Sequence, residues 1–155
     1  DEGLNAELFK DVNLLKTWRN NLSGIKWTDS NGNLLRGAVD DILQKDGKLI
    51  VLDFKTRGFP LKENTAELYA DQLNIYYFLL QKNNYQTEDY GYLLFYYPKE
   101  VNKNGDVVFD TELITMQISV KRAEKLLQDA LRCLNGQLPE PSKDCAWCRW
   151  LEDMR

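Results

Sequence analysis

Apolar positions along this chain recur in two rhythms. Leu4, Leu8, Val12, Leu15 and Leu22 fall at helical spacing and predict a first helix over 4–22. The polar group Ser30-Asn31-Gly32-Asn33 is a turn signal, so Ile25 to Thr28 and Leu34 to Gln44 read as a hairpin. A second turn, Lys45-Asp46-Gly47-Lys48, leads into Leu49-Ile50-Val51-Leu52-Asp53-Phe54-Lys55, an apolar run short enough to be a buried strand. Residues 65–83 read as the next helix. Gly91 to Tyr97 reads as a strand stopped by Pro98, and Val107 to Val120 as a further strand region. Lys121 to Asn135 is then a helix ended at Gly136, followed by a short tail from 137 with Pro139, Pro141, Cys145 and Cys148. Helices alternating with strands in this order predict one α/β domain over 1–155, built on a mixed central sheet flanked by helices.

Composition narrows what such a domain does. A hydrophobic fraction of 43% and a charged fraction of 28% suit a folded globular chain of 155 residues. No apolar run approaches the ~20 residues that cross a bilayer, so no membrane partner is expected. The start, Asp1-Glu2-Gly3, lacks both a signal-peptide pattern and a Met, so the chain is expected to be a processed form or part of something longer. Three cysteines without a secretory signal point to reduced thiols and a cytoplasmic location. The absence of histidine excludes Ser-His-Asp and Cys-His catalysis and any His-ligated zinc. A net charge of −4 argues against bulk adhesion to nucleic acid, though not against a local site where a divalent cation offsets carboxylates.

One constellation carries chemistry. Side chains two apart on a strand share a face, so Asp53 and Lys55 project together. Asp40 lies near the end of the preceding strand, and a tight connection would bring it beside Asp53. A carboxylate after four apolar residues needs a partner, and carboxylate oxygens favour Mg²⁺ or Mn²⁺. Asp41, adjacent to Asp40, is expected to face the other way as a solvated or salt-bridged residue. Asp-x-Lys alone is most simply a salt-bridged strand end. Its surroundings change that reading.

Gly37-Ala38-Val39-Asp40, Asp53-Phe54-Lys55-Thr56 and Gln72-Leu73-Asn74-Ile75-Tyr76 occur in order on strand, strand and helix. This set resembles the RecB-like branch of the PD-(D/E)XK nucleases, which includes helicase–nucleases of bacterial recombination and exonucleases of CRISPR spacer acquisition. The resemblance implies a restriction-endonuclease-like αβββαβ core and metal-dependent hydrolysis of DNA phosphodiester bonds, with exonuclease action favoured over endonuclease. DNA is the implied substrate, and a helicase or CRISPR-adaptation protein the implied partner. Asp40 and Asp53 are similar to the family's metal-binding carboxylates, Lys55 to its catalytic lysine, and the Phe54 carbonyl to a further ligand. Gln72 and Tyr76 are similar to the helical motif that supports the site and contacts DNA, and Tyr69 extends their face. Ile75, Phe78 and Leu79 read as core. Arg36, Arg57 and Lys62 are candidate phosphate contacts.

The chain departs from this pattern twice. Many relatives supply a metal-binding His from a preceding helix. Here Glu7, or Asp11 on the same helix face, is the candidate replacement, beside the plainer reading of a solvated acidic helix start. Some relatives hold an iron–sulfur cluster on four cysteines. Cys133, Cys145 and Cys148 supply three, so a cluster is not expected, and a packed tail anchored by Trp147 and Trp150 is the simpler reading. A weakly active or inactive nuclease-fold module that binds nucleic acid or a protein stands as the alternative function.

Overall fold

The computed structural model describes residues 4–137, 139–142 and 144–154. The Asp1–Gly3 start lies outside the described residues, as do Leu138, Lys143 and Arg155 of the tail. The chain divides into two compact units, the first ending at Ala123 and the second beginning at Glu124.

The first unit is built on a five-stranded mixed sheet flanked by helices, the architecture expected from the alternation of elements. Its strands are β1 (Glu7–Leu8), β4 (Asp41–Lys45), β5 (Lys48–Thr56), β6 (Tyr90–Val101) and β7 (Val107–Gln117), in the order β1-β4-β5-β6-β7. β5 and β6 run parallel and the other neighbours antiparallel. A separate two-stranded ribbon pairs β2 (Ile25–Thr28) with β3 (Leu34–Gly37). The turn between β4 and β5 has only Asp46 and Gly47 between the paired Lys45 and Lys48, both at positive φ (48° and 81°). That is the twist-matched two-residue hairpin that an Asp-Gly pair favours, and it sets the β4–β5 register.

The parallel β5–β6 pair needs a crossover, supplied by a short 3-10 turn (Ala66–Tyr69) and helix α2 (Ala70–Lys82). The helix is buried on most of its circumference: Leu73, Asn74 and Tyr76 through Leu80 all lie inside. Of these, Leu73, Tyr76, Tyr77, Leu79 and Leu80 pack with Val51, Leu93 and Phe95 of the sheet and with Leu15 and Trp18 of α1 (Val12–Trp18). Phe78 and Leu79 are core as expected, whereas Ile75 is half-buried. A smaller cluster of Leu43, Ile50 and Leu52 occupies the opposite face of the sheet.

Tyr77 ties this helix to the sheet where β5 and β6 begin to pair. Its hydroxyl accepts from the Val51 N–H at 3.0 Å and donates to the Tyr90 carbonyl. Burial pushes the phenol pKa far up, so it stays a donor. Tyr77→Phe strands both backbone groups and is expected to cost about 1–3 kcal/mol. A lower urea midpoint at constant m would report that loss, and an unchanged midpoint would refute it.

Several elements differ from the sequence reading. The helix expected over 4–22 is only α1. Asp11 caps it, accepting from the Leu14 N–H at 2.9 Å, while the Phe9 N–H donates to the Ile42 carbonyl at 3.0 Å and extends the β1 pairing. Leu8, Val12 and Leu22, which made the helical rhythm, are 65%, 71% and 79% exposed, so the period did not mark a buried face. The single strand expected over Leu34–Gln44 breaks between Gly37 and Asp41. Its halves join different sheets, and a Cβ on Gly37 would stand 2.9 Å from the Tyr76 ring. Pro98 does not stop β6, which continues to Val101 beside β7 with a register shift between Pro98 and Glu100. The β5 ladder has already ended at Tyr96, so on that side the missing N–H has no strand to serve.

Helix α3 (Val120–Asn135) begins in the first unit and ends at Asn135 as expected. In the second unit the region read as a tail contains helix α4 (Ala146–Asp153), capped by Cys145. Cys145 Sγ accepts from the Cys148 N–H at 3.4 Å, and the Cys148 thiol holds the Cys145 pKa below the ordinary value. Trp147 and Trp150 are not buried anchors. They stand 80% and 55% exposed and meet each other edge-on at 6.5 Å. Among the described residues no helix is long and apolar enough to cross a membrane.

Candidate active site

The β4–β5 register pairs Asp41 with Leu52. One step further along the same antiparallel line lie Asp40 and Asp53. Asp40 sits on the bend just before β4, where Arg19 at the end of α1 holds its carbonyl (Nε to O 2.6 Å). Its carboxylate Oδ2 accepts from the Phe54 N–H at 2.8 Å, so the side chain is tethered to the strand that carries Asp53. Asp41 faces away from this contact and pairs with Arg19 at 2.7 Å, the salt-bridged role expected of it. Arg19 was not legible in the sequence as a site residue. Its contacts span more than one element, and an arginine after a short helix carries no signal of its own.

Asp53 is 1% exposed on the α2 face of β5. Lys55, two residues on, forms an ion pair with Asp53 Oδ2. No other donor reaches Oδ2, so the Lys55 ammonium is what compensates this buried carboxylate. Desolvation raises the Asp53 pKa above its ordinary value. Lys55 opposes that shift, and the neighbouring Asp40 charge adds to it.

Lys55 is held from three sides. Besides Asp53, its Nζ donates to Gln72 Oε1 at 2.9 Å and lies 4.7 Å from the centre of the Tyr69 ring. Gln72 Nε2 in turn donates to the Tyr76 hydroxyl at 2.7 Å, which turns the amide oxygen toward the lysine. Burial raises the Tyr76 pKa; Gln72 lowers it, and Asp53 and Asp40 add to the rise. Tyr69 rests edge-on against Phe95 with ring centres 5.9 Å apart. The helical i, i+4 spacing of Gln72 and Tyr76 thus delivers both side chains to one place.

The remaining candidates fall elsewhere. Glu7 is on β1 opposite Gln44, its carboxylate 2.8 Å from Lys10, and not on a helix at the site. Asp11 is used as the α1 cap. Arg36 lies on the ribbon and donates to the Leu22 carbonyl at 2.6 Å. Arg57 directly follows β5, its N–H bonded to the Tyr96 carbonyl at 2.9 Å. Lys62 lies farther along the same loop, its Nζ 5.6 Å from the Phe59 ring centre.

Among the described residues, no group of three or more His, Cys, Asp or Glu side chains is placed to hold a metal. A hard cation would therefore depend on Asp40, Asp53 and backbone oxygen. The donors fit such an ion: they are oxygen ligands only, and one of the two carboxylates is buried. Backbone groups of one strand residue point to the same side, so the Phe54 carbonyl shares the edge on which its N–H meets Asp40.

A family model describing the PD-(D/E)XK nuclease superfamily matches residues 5–152, and the chain belongs to that superfamily. Its members generally use divalent metals, and its restriction-endonuclease-like fold agrees with the mixed sheet seen here. The crystal structure of SSO0001 is similar over 81% of this chain, at 20% identity and a TM-score of 0.45. The match covers 54% of that chain, so this sequence spans about half its length. Comparison with curated proteins gave no match.

Proposed function

We propose that this chain is a RecB-like deoxyribonuclease that hydrolyses phosphodiester bonds with Mg²⁺ or Mn²⁺, preferentially from strand ends, in company with a helicase or adaptation-type partner. The observation that carries the reading is the meeting of Asp40 and the buried Asp53 next to a lysine locked by Gln72. Asp40, Asp53 and the Phe54 carbonyl are the residues that would hold the ion. A divalent ion bound there supplies Lewis acidity toward the phosphate and eases deprotonation of water.

The protein's own groups account for the rest. Lys55 presents an ammonium to the oxygens on which negative charge grows as water adds to phosphorus and the bond to the leaving oxygen breaks. Gln72, oriented by Tyr76, fixes that ammonium in advance, so it need not reorganise during the reaction. Tyr69 closes one side and shields the amine from water.

Labelled linear DNA incubated with Mn²⁺ should be cut, and EDTA or Asp53→Ala should reduce cutting at least about a hundredfold. Equal cutting by wild type and Asp53→Ala would sink the reading. Circular single strands, which have no ends, should resist.

A further inference from the structure

We propose that the loop leaving β5 carries a stacking platform for one base of single-stranded DNA, with Phe59 as its face and Arg57 and Lys62 as flanking phosphate contacts. The proposal rests on the nuclease reading above and adds to it a determinant of strand preference.

Phe59 is 49% exposed, an aromatic ring set in water four residues beyond Lys55. Two cations attend it. The Arg57 guanidinium carbon lies 4.7 Å from the ring centre and the Lys62 ammonium 5.6 Å. Arg57 Nε is buried without a hydrogen-bond acceptor, so the guanidinium rests on the Phe59 ring rather than on a carboxylate. A phosphate is the anion that the neighbouring chemistry would bring to these two cations.

The loop is pinned at both ends, so the platform is pre-shaped. At the near end the Arg57 N–H extends the β5–β6 ladder to the Tyr96 carbonyl. At the far end Lys62 and Thr65 bond reciprocally: the Lys62 N–H donates to Thr65 Oγ1 and the Thr65 N–H to the Lys62 carbonyl, each at 3.1 Å. Backbone alternation puts Arg57 on the same side of the strand as Asp53 and Lys55. A strand whose phosphate reaches Lys55 would therefore meet Arg57 next and Phe59 after it. A cavity of about 520 Å³ is lined by Lys62 itself, by Glu63, Glu67 and Glu112, and by Ile114 and Met116.

Bases inside a duplex already stack on their neighbours and offer no free face. A base–aromatic platform of this kind favours single strands without reading sequence. The full chain in EDTA, where no cleavage occurs, should bind a labelled single-stranded oligonucleotide more tightly than the same sequence as a duplex. Phe59→Ala should weaken single-strand binding by about tenfold and leave duplex binding unchanged, while Phe59→Trp should keep the wild-type affinity. Unchanged single-strand affinity in Phe59→Ala, an equal loss for both forms, or a wild type that binds neither would overturn the platform. Mn²⁺-dependent cleavage is scored separately. Its absence alongside the expected binding pattern would overturn the nuclease reading instead.

Discussion

Lys55→Met should lower the turnover of DNA cleavage by about 10²–10³-fold with little change in KM. Methionine fills much the same space as the lysine stem but carries no charge. The side chain is only 15% exposed, so water does not readily replace the lost ammonium. In the proposed mechanism the lysine acts where charge develops, on the phosphate oxygens, so its removal should appear in kcat rather than in substrate binding. Gln72→Met should follow in the same direction by about 10–100-fold, because it releases the ammonium without removing it. A thermal midpoint within a few degrees of wild type would assign the loss to chemistry rather than unfolding. Turnover at the wild-type level in Lys55→Met would remove the lysine from the mechanism.

Mn²⁺ at about a hundred times its dissociation constant should raise the thermal midpoint of the wild type by about 5–10 °C. Asp53→Asn should show almost none of that rise, since the amide keeps the shape but loses the anionic ligand. Without metal, the same variant should be at least as stable as wild type. Burial raises the Asp53 pKa from its ordinary 3.8, so the folded protein tolerates the ionised form less well than the unfolded chain does. The contribution of that carboxyl to stability is fully present below the ordinary value and is lost as the pH rises through the folded value. Asparagine has no such loss, and the gap between the two proteins should open as the pH rises from acid toward neutral. Differential scanning fluorimetry over pH, with Mn²⁺ or EDTA, reads both effects. Equal Mn²⁺ shifts in the two proteins would mean that Asp53 does not bind the ion.

The heart of the site could be anticipated because it depends on short-range rules. Alternation along a strand puts Asp53 and Lys55 on one face, and the ion pair between them follows. The Asp46-Gly47 turn, with positive φ at both residues, determines the register that brings Asp40 to the level of Asp53. One helical turn brings Gln72 and Tyr76 together. In each case a few neighbouring residues decide the geometry.

Features that join distant parts of the chain were beyond local pattern. Glu7 and Leu8 became an edge strand rather than a helix because β4 offered unpaired backbone groups at that position. The chain broke between Gly37 and Asp41 because its two halves met different partners, with Gly37 against Tyr76 of α2. Arg19 holds Asp40 from another element. The sequence by itself determined the pleat, the turn and the helical spacing that assemble Asp53, Lys55, Gln72 and Tyr76. Tertiary structure alone decided how Asp40 is tethered, and it kept Glu7 and Asp11 out of the site. The reason is physical: steric and periodic rules act between residues near in sequence, whereas backbone pairing and burial depend on which distant groups remain unsatisfied.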